Sequence, residues 1–306
     1  MTLLMRLLAH VPLSTMHRIG ASLGWLAWVG SSGYRSRFKA NAESAGLTPA
    51  QYRPAISSVG RALAELPWIW MRAPGVKVLP RIVHWEGVPE VEAALALGKG
   101  AIFITPHLGS WEMLGQAIAE RFSPQYGPMT ALFRPSRQPW LADLVAASRD
   151  RPCLKMLPTN TSGVRGLIRT LRAGGYTGIL PDQVPPQGQG VWAPFFGRPA
   201  YTMTLPARLA QQTGAAVFLS VCERLAPGKG YAIRFEQVTG SPLNDPKAPV
   251  EAAATAMNEG IERLIRRLPG QYIWDYARYK QPRHEDGYAQ SAPKGGVKEN
   301  SKEGQP

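Results

Sequence analysis

His107 and Glu112 stand five residues apart, and an imidazole beside a carboxylate is the minimal apparatus for moving a proton. A carboxylate that accepts from one ring nitrogen fixes the tautomer and stabilises the imidazolium, leaving the other nitrogen free to take a proton from a hydroxyl. On one continuous helix a separation of five is about 140° and points the side chains apart. The pair meets only if His107 lies in a loop and Glu112 in the first helical turn. Pro106, Gly109 and Ser110 make such a break, with Ser110 as the helix cap. The same residues also read as a histidine closing a strand end and an acid complementing a helix N-terminus.

The elements that must position this pair follow from periodicity. Residues 101–105 form a short apolar run that reads as a buried strand, Pro106 stops it, and Met113, Leu114, Ala117 and Ile118 recur at helical spacing. Further strands are expected at 129–133, 176–180, 216–221 and 231–235, with helices at 55–72, 164–172, 203–213 and 251–268. Strands alternating with helices give an α/β fold, a central mostly parallel sheet covered by helices. In such sheets the reactive site lies beyond the carboxyl ends of the strands, which is where His107 falls.

The run His107-Leu-Gly-Ser-Trp-Glu112 resembles the His-x4-Asp/Glu motif of the glycerolipid acyltransferase superfamily. The surrounding sequence resembles its bacterial lipid A late acyltransferase branch. Ala131-Leu-Phe-Arg134-Pro135, Leu180-Pro-Asp182-Gln183, Trp192-Ala-Pro-Phe-Phe-Gly197 with Thr202, and the stretch from Gln271 to Lys280 resemble further blocks of that branch, in order. The resemblance implies transfer of a fatty acyl group from acyl carrier protein, or acyl-CoA, to a hydroxyl of a lipid A precursor. It implies His107 as general base and Glu112 as its orienting partner. Arg134 would bind an acceptor phosphate or support the oxyanion, and Asp182 would hold the acceptor or brace the site. The loop after Asp182 reads Gln183-Val-Pro-Pro-Gln-Gly-Gln, without the further acidic residue many relatives carry there.

Charge agrees with anionic partners. The 306 residues carry 35 Lys+Arg against 21 Asp+Glu, a net +14, and residues 121–172 supply nine cations against Asp143 and Asp150. Acyl carrier protein, a phosphorylated glycolipid and the anionic inner-membrane leaflet would all be drawn to such a face. Arg165, Arg169 and Arg172 recur at helical spacing, as a docking ridge or as a solvated face. Nucleic acid is not expected, because no helix-turn-helix, zinc-finger, RRM or KH pattern occurs. No cofactor or metal is implied: the five histidines show no HExxH spacing, and Cys153 and Cys222 form no CxxC pair.

No acidic residue precedes Glu43, and residues 3–34 are apolar and aromatic but interrupted by Arg6, Pro12 and Arg18. The longest charge-free run there is 16 residues, short of the roughly 20 that span hydrocarbon. An interfacial or marginally inserted apolar helical anchor is expected, with Trp25 and Trp28 at headgroup depth, and the family resemblance implies the cytoplasmic face of the bacterial inner membrane. A helical hairpin packed on the body is the alternative. Gly20-Ala-Ser22-Leu-Gly24 matches a nucleophile elbow in letters only, since no strand precedes it, and reads better as a helix-packing face. The expected organisation is an apolar segment at 1–42, a catalytic domain at 43–282 and a disordered tail at 283–306. The rival functions are acylation of another membrane lipid, such as a glycolipid or aminolipid, and a membrane-associated hydrolase.

Overall fold

The computed structural model describes residues 2–73, 75–133 and 151–283. Strand β2 (Ala101–Ile104) is buried along its whole length, and its alternation divides the molecule into two cores. Ala101 and Phe103 face helix α7 (Trp111–Tyr126), where Met113, Leu114, Ala117, Ile118 and Phe122 close one layer. Ile102 and Ile104 face the opposite layer of three helices, α8 (Thr161–Arg172), α9 (Leu205–Thr213) and α10 (Val250–Arg267).

The sheet has seven strands in the order β1-β9-β8-β2-β5-β3-β4. They are β1 (Ile82–Glu86), β3 (Met129–Phe133), β4 (Leu154–Pro158), β5 (Tyr176–Ile179), β8 (Ala216–Arg224), β9 (Tyr231–Val238) and β2 itself. Only the β8–β9 pairing is antiparallel; the other five are parallel. The mostly parallel α/β sheet expected from the sequence is therefore present. Short helix α6 (Val88–Ala96) joins β1 to β2. Strands β1 and β4 were not expected. Nor was the separate hairpin of β6 (Gly190–Phe195) and β7 (Arg198–Met203), which turns on Phe196 and Gly197, both at positive φ, and is held to α10 where Glu262 accepts from the Phe196 amide at 2.7 Å.

The N-terminal region packs on the rest of the chain. It forms α1 (Thr2–Leu8), α2 (Leu13–Gly30) and α3 (Ser32–Ser44), and short α4 (Pro49–Tyr52) leads into α5 (Pro54–Met71). Among the described residues no helix is long and apolar enough to cross a membrane. Instead α2 is docked on α5 at a close glycine crossing: a Cβ at Gly60 would lie 1.9 Å from the Gly20 carbonyl oxygen, and one at Gly24 would lie 2.2 Å from that of Ile56. The small residues of the 20–24 run thus serve helix packing, and Ser22 donates to the Arg18 carbonyl within its own helix. Trp28 packs edge-on against Phe38 rather than sitting free. Leu13 belongs to one core, Phe38 and Ala42 to the other, so both cores run through the boundary expected at residue 42.

Candidate active site

Parallel pairing of β2 with β5 sets the site. Ile104 lies opposite Ile179, and each strand continues for three residues beyond this pair, through Thr105-Pro106 to His107 and through Leu180-Pro181 to Asp182. Equal extensions from equal registers bring the two side chains together at the carboxyl edge of the sheet. Asp182 grips His107 at two points: Oδ1 is 2.7 Å from Nδ1, and Oδ2 accepts from the His107 backbone amide at 2.9 Å. Because a carboxylate only accepts, Nδ1 carries the ring proton and Nε2 presents its lone pair. Gln183 Nε2 lies 3.3 Å from that nitrogen.

This geometry gives His107 a different hydrogen-bond partner from the expected one. The carboxylate hydrogen-bonded to the imidazole is that of Asp182, reached across the sheet, and not that of Glu112 in the same segment. Glu112 sits in the first turn of α7 on the wall of the same cavity, where its Oε2 accepts from Trp70 Nε1 at 3.0 Å. Ser110 is likewise reassigned. It stands at the N-cap position of α7 but makes no cap bond, and its hydroxyl donates instead to buried Glu65. Arg134 lies outside the described residues; in sequence it directly follows the last residue of β3.

Burial and charge oppose each other here. Removal from water disfavours the imidazolium, but the charge of Asp182, its hydrogen bond and the field of Glu112 outweigh that, leaving the His107 pKa raised above the ordinary histidine value. Burial would likewise push the Asp182 carboxyl up; its partners on His107 and the nearby Arg278 guanidinium hold it below the usual carboxylate range. Burial first, and then the Asp182 carboxylate, drive the Tyr272 phenol well up. Arg278 is fixed by the Tyr201 carbonyl and the Thr202 hydroxyl, at 2.7 and 2.8 Å. Gln183, Tyr272 and Arg278 were not singled out individually. The signal for the His–Asp pairing was in the sequence: Ile104-Thr-Pro-His107 and Ile179-Leu-Pro-Asp182 are two strand ends of one design.

His107 keeps 17% of its side-chain surface exposed, and it looks into a cavity of about 1190 Å³. Glu112, Gln183, Asn160 and Arg208 are among the cavity's polar lining, and Leu114, Ile118, Met129, Met156, Ile168 and Ile179 are among its apolar lining. The volume exceeds the roughly 300–1,000 Å³ of ordinary small-molecule pockets. Among the described residues no group of His, Cys, Asp and Glu is arranged to hold a metal ion.

A histidine with a carboxylate on one ring nitrogen and a mostly apolar cavity on the other side is an arrangement that can move a proton beside an aliphatic chain. The family model for bacterial lipid A biosynthesis acyltransferases matches residues 1–281. This chain belongs to that family. It is 27% identical to a lipid A biosynthesis acyltransferase of Haemophilus influenzae over 88% of this chain and 82% of that protein. It is 29% identical to the lipid A biosynthesis lauroyltransferase of Escherichia coli over 73% of this chain and 69% of the other. A phosphatidylinositol mannoside acyltransferase of Mycobacterium tuberculosis is 27% identical over 57% and 54%. The protein is an acyltransferase.

A base must be neutral to act, so activity should fall as pH drops through the raised His107 pKa, and the acid limb of kcat/KM should lie above the ordinary histidine value of about 6.5. Asp182→Asn removes the charge that sustains the imidazolium. The limb should then move to lower pH while the plateau falls by at least about 10²-fold, since the tautomer is no longer fixed. A pH–rate profile of both proteins checks this; an unmoved limb contradicts the pairing.

Proposed function

We propose that the protein transfers a fatty acyl group from the thioester of acyl carrier protein to a hydroxyl of a lipid A precursor. The observation that carries this reading is the His107–Asp182 pair, with His107 on the wall of the mostly apolar cavity, within a chain of the lipid A acyltransferase family. His107 Nε2 takes the proton of the acceptor hydroxyl as its oxygen attacks the thioester carbonyl. The tetrahedral intermediate collapses to the ester, the thiolate leaves, and the imidazolium returns its proton to that sulfur. Asp182 holds the ring in the Nδ1–H tautomer and stabilises its charged form. Glu112 adds a second negative field on the wall of the same cavity. Ser110 is turned toward Glu65 and Cys222 is buried, its thiol pushed well up first by burial and then by Glu65, so neither stands as a nucleophile at His107.

The acyl chain lies in the apolar cavity. Arg165, Arg169 and Arg172 are exposed on α8, whose Val164 and Ile168 line that cavity, and this ridge suits an acidic carrier protein better than CoA alone. Arg134, directly after β3, is assigned the acceptor phosphate on the strength of the family resemblance. The mycobacterial relative supports a second reading, in which the acceptor is another glycolipid.

Mass spectrometry of lipid A from a deletion strain and its complemented forms tests the reading. Loss of one acyl chain is expected, restored by the wild-type gene and not by His107→Ala. Unchanged lipid A with an altered glycolipid profile would select the second reading.

The reaction is placed at the cytoplasmic face of the inner membrane. No spanning helix is needed, since α1 and α2 expose Leu3, Leu7, Leu23, Trp25, Leu26 and Val29, with Arg6 and Arg18 exposed among them. Such a face lies in the headgroup region of an anionic bilayer. Co-sedimentation with phosphatidylglycerol vesicles should be strong for the wild type and largely lost in Leu23→Glu/Leu26→Glu. Equal sedimentation of both would remove this face as the docking surface.

A further inference from the structure

Beneath the His107 loop lies a buried ion pair for which the proton transfer has no use. Glu65 of α5 and Arg224 at the end of β8 are both almost wholly buried. Both Glu65 oxygens are occupied. Oε1 accepts from Arg224 Nε, from the Tyr231 hydroxyl at 2.8 Å and from His17 Nε2 at 2.7 Å; Oε2 accepts from Arg224 Nη2 at 2.8 Å and from the Ser110 hydroxyl at 2.7 Å. Arg224 spends its remaining donors on the Ser58 hydroxyl at 3.0 Å and the Gly109 carbonyl at 3.2 Å.

Two of these contacts fall on the chain between His107 and Glu112, and the backbone repeats the pattern. The Ser110 amide donates to the Cys222 carbonyl at 2.8 Å, the Gly109 amide to the Gln271 carbonyl at 3.1 Å, and the Ile273 amide to the His107 carbonyl at 3.3 Å. Gln271 is itself clamped to the Arg224 backbone by two bonds, at 3.0 and 2.9 Å. Gly109 has φ 64° and lies so close to β8 that a Cβ would come within 2.1 Å of the Cys222 oxygen, so the loop has no slack on that side.

Desolvating a carboxylate and a guanidinium costs several kcal/mol each, and apolar residues of similar volume often serve stability as well or better. What apolar residues cannot do is bond a loop carbonyl and a loop hydroxyl in fixed directions. We propose that Glu65 and Arg224 are positioning residues for acyl transfer. Through Ser110 and Gly109 they set where His107 meets Asp182 and where α7 begins. The proposal rests on the reading of His107 as the base. It also gives the N-terminal helix a part in the reaction, since His17 of α2 completes the shell of Glu65.

Steady-state kinetics on the full chain, at a temperature where circular dichroism shows each variant folded, tests this. Ser110→Ala and Glu65→Gln should lower kcat by about tenfold or more with the KM for the acyl donor nearly unchanged, because misplacing a reacting group by about 1 Å costs on the order of 10²-fold. Ile265→Ala, a core cavity whose side chain makes no hydrogen bond to the loop, serves as the stability control. It should melt at least as low as Ser110→Ala and keep wild-type kcat. If Glu65→Gln does not fold, Ser110→Ala decides. Wild-type kcat in Ser110→Ala, or an equal loss in Ile265→Ala, overturns the proposal. His107→Ala in the same assay separates the two levels: activity there defeats the proposed function, whereas an inactive His107→Ala beside an unimpaired Ser110→Ala defeats only the positioning role.

Discussion

The two-point grip of Asp182 on His107 is the interaction to which the rest of the structure is subordinate. One carboxylate oxygen accepts from Nδ1–H and the other accepts from the backbone amide of the same residue, so orientation and tautomer are fixed together. A grip of this kind tolerates no slip in strand register, because one residue of slip would turn either side chain to the opposite face of the sheet. The wholly buried β2 and its paired neighbours β5 and β8 supply that rigidity. Helix α7 then needs only to begin at the right place for Glu112 to add its field.

Two buried carboxylates do different work because their surroundings differ. Glu65 is deprived of water, which alone would raise its pKa, yet the Arg224 charge and hydrogen bonds, helped by His17, hold it down at about 2. It is a permanent anion locked in the interior. Asp182 is equally buried and also held low, but its main partner is a ring that can change its charge, the property the proposed proton transfer would use. The contrast separates an anion paired with a fixed cation from one paired with a titratable ring.

Much of this was legible in the residues. Strands 101–105, 129–133 and 176–180 and the helix after Trp111 were expected and are present, because buried strands and amphipathic helices write their periods plainly. His107, Glu112 and Asp182 were all singled out, and all three line or flank one cavity. The hydrogen-bond partner of His107 was not foreseen because Glu112 is its neighbour along the chain, whereas Asp182 is 75 residues away and becomes its neighbour only through the β2–β5 register. Strand β4, with half-buried residues at the sheet's edge, and the Pro-containing hairpin β6–β7 carry weak periodic signals. The hub around Glu65 was invisible for another reason. His17, Glu65, Ser110, Arg224 and Tyr231 come from five separate stretches and share no motif, so only the packed chain brings them together. The apolar N-terminus showed the opposite limit: its composition suggested lipid, while Gly20, Gly24 and Gly60 direct one of its faces onto α5.

The central claim, that Asp182 and not Glu112 orients the general base, is tested most directly by nitrogen-15 NMR of the protein labelled at histidine, with His107 assigned by its loss in His107→Gln. The account predicts a neutral ring protonated at Nδ1, titrating above the ordinary value of about 6.5 in the wild type and in Glu112→Gln, and losing both features in Asp182→Asn. A ring protonated at Nε2, or one whose tautomer changes in Glu112→Gln but not in Asp182→Asn, would contradict it.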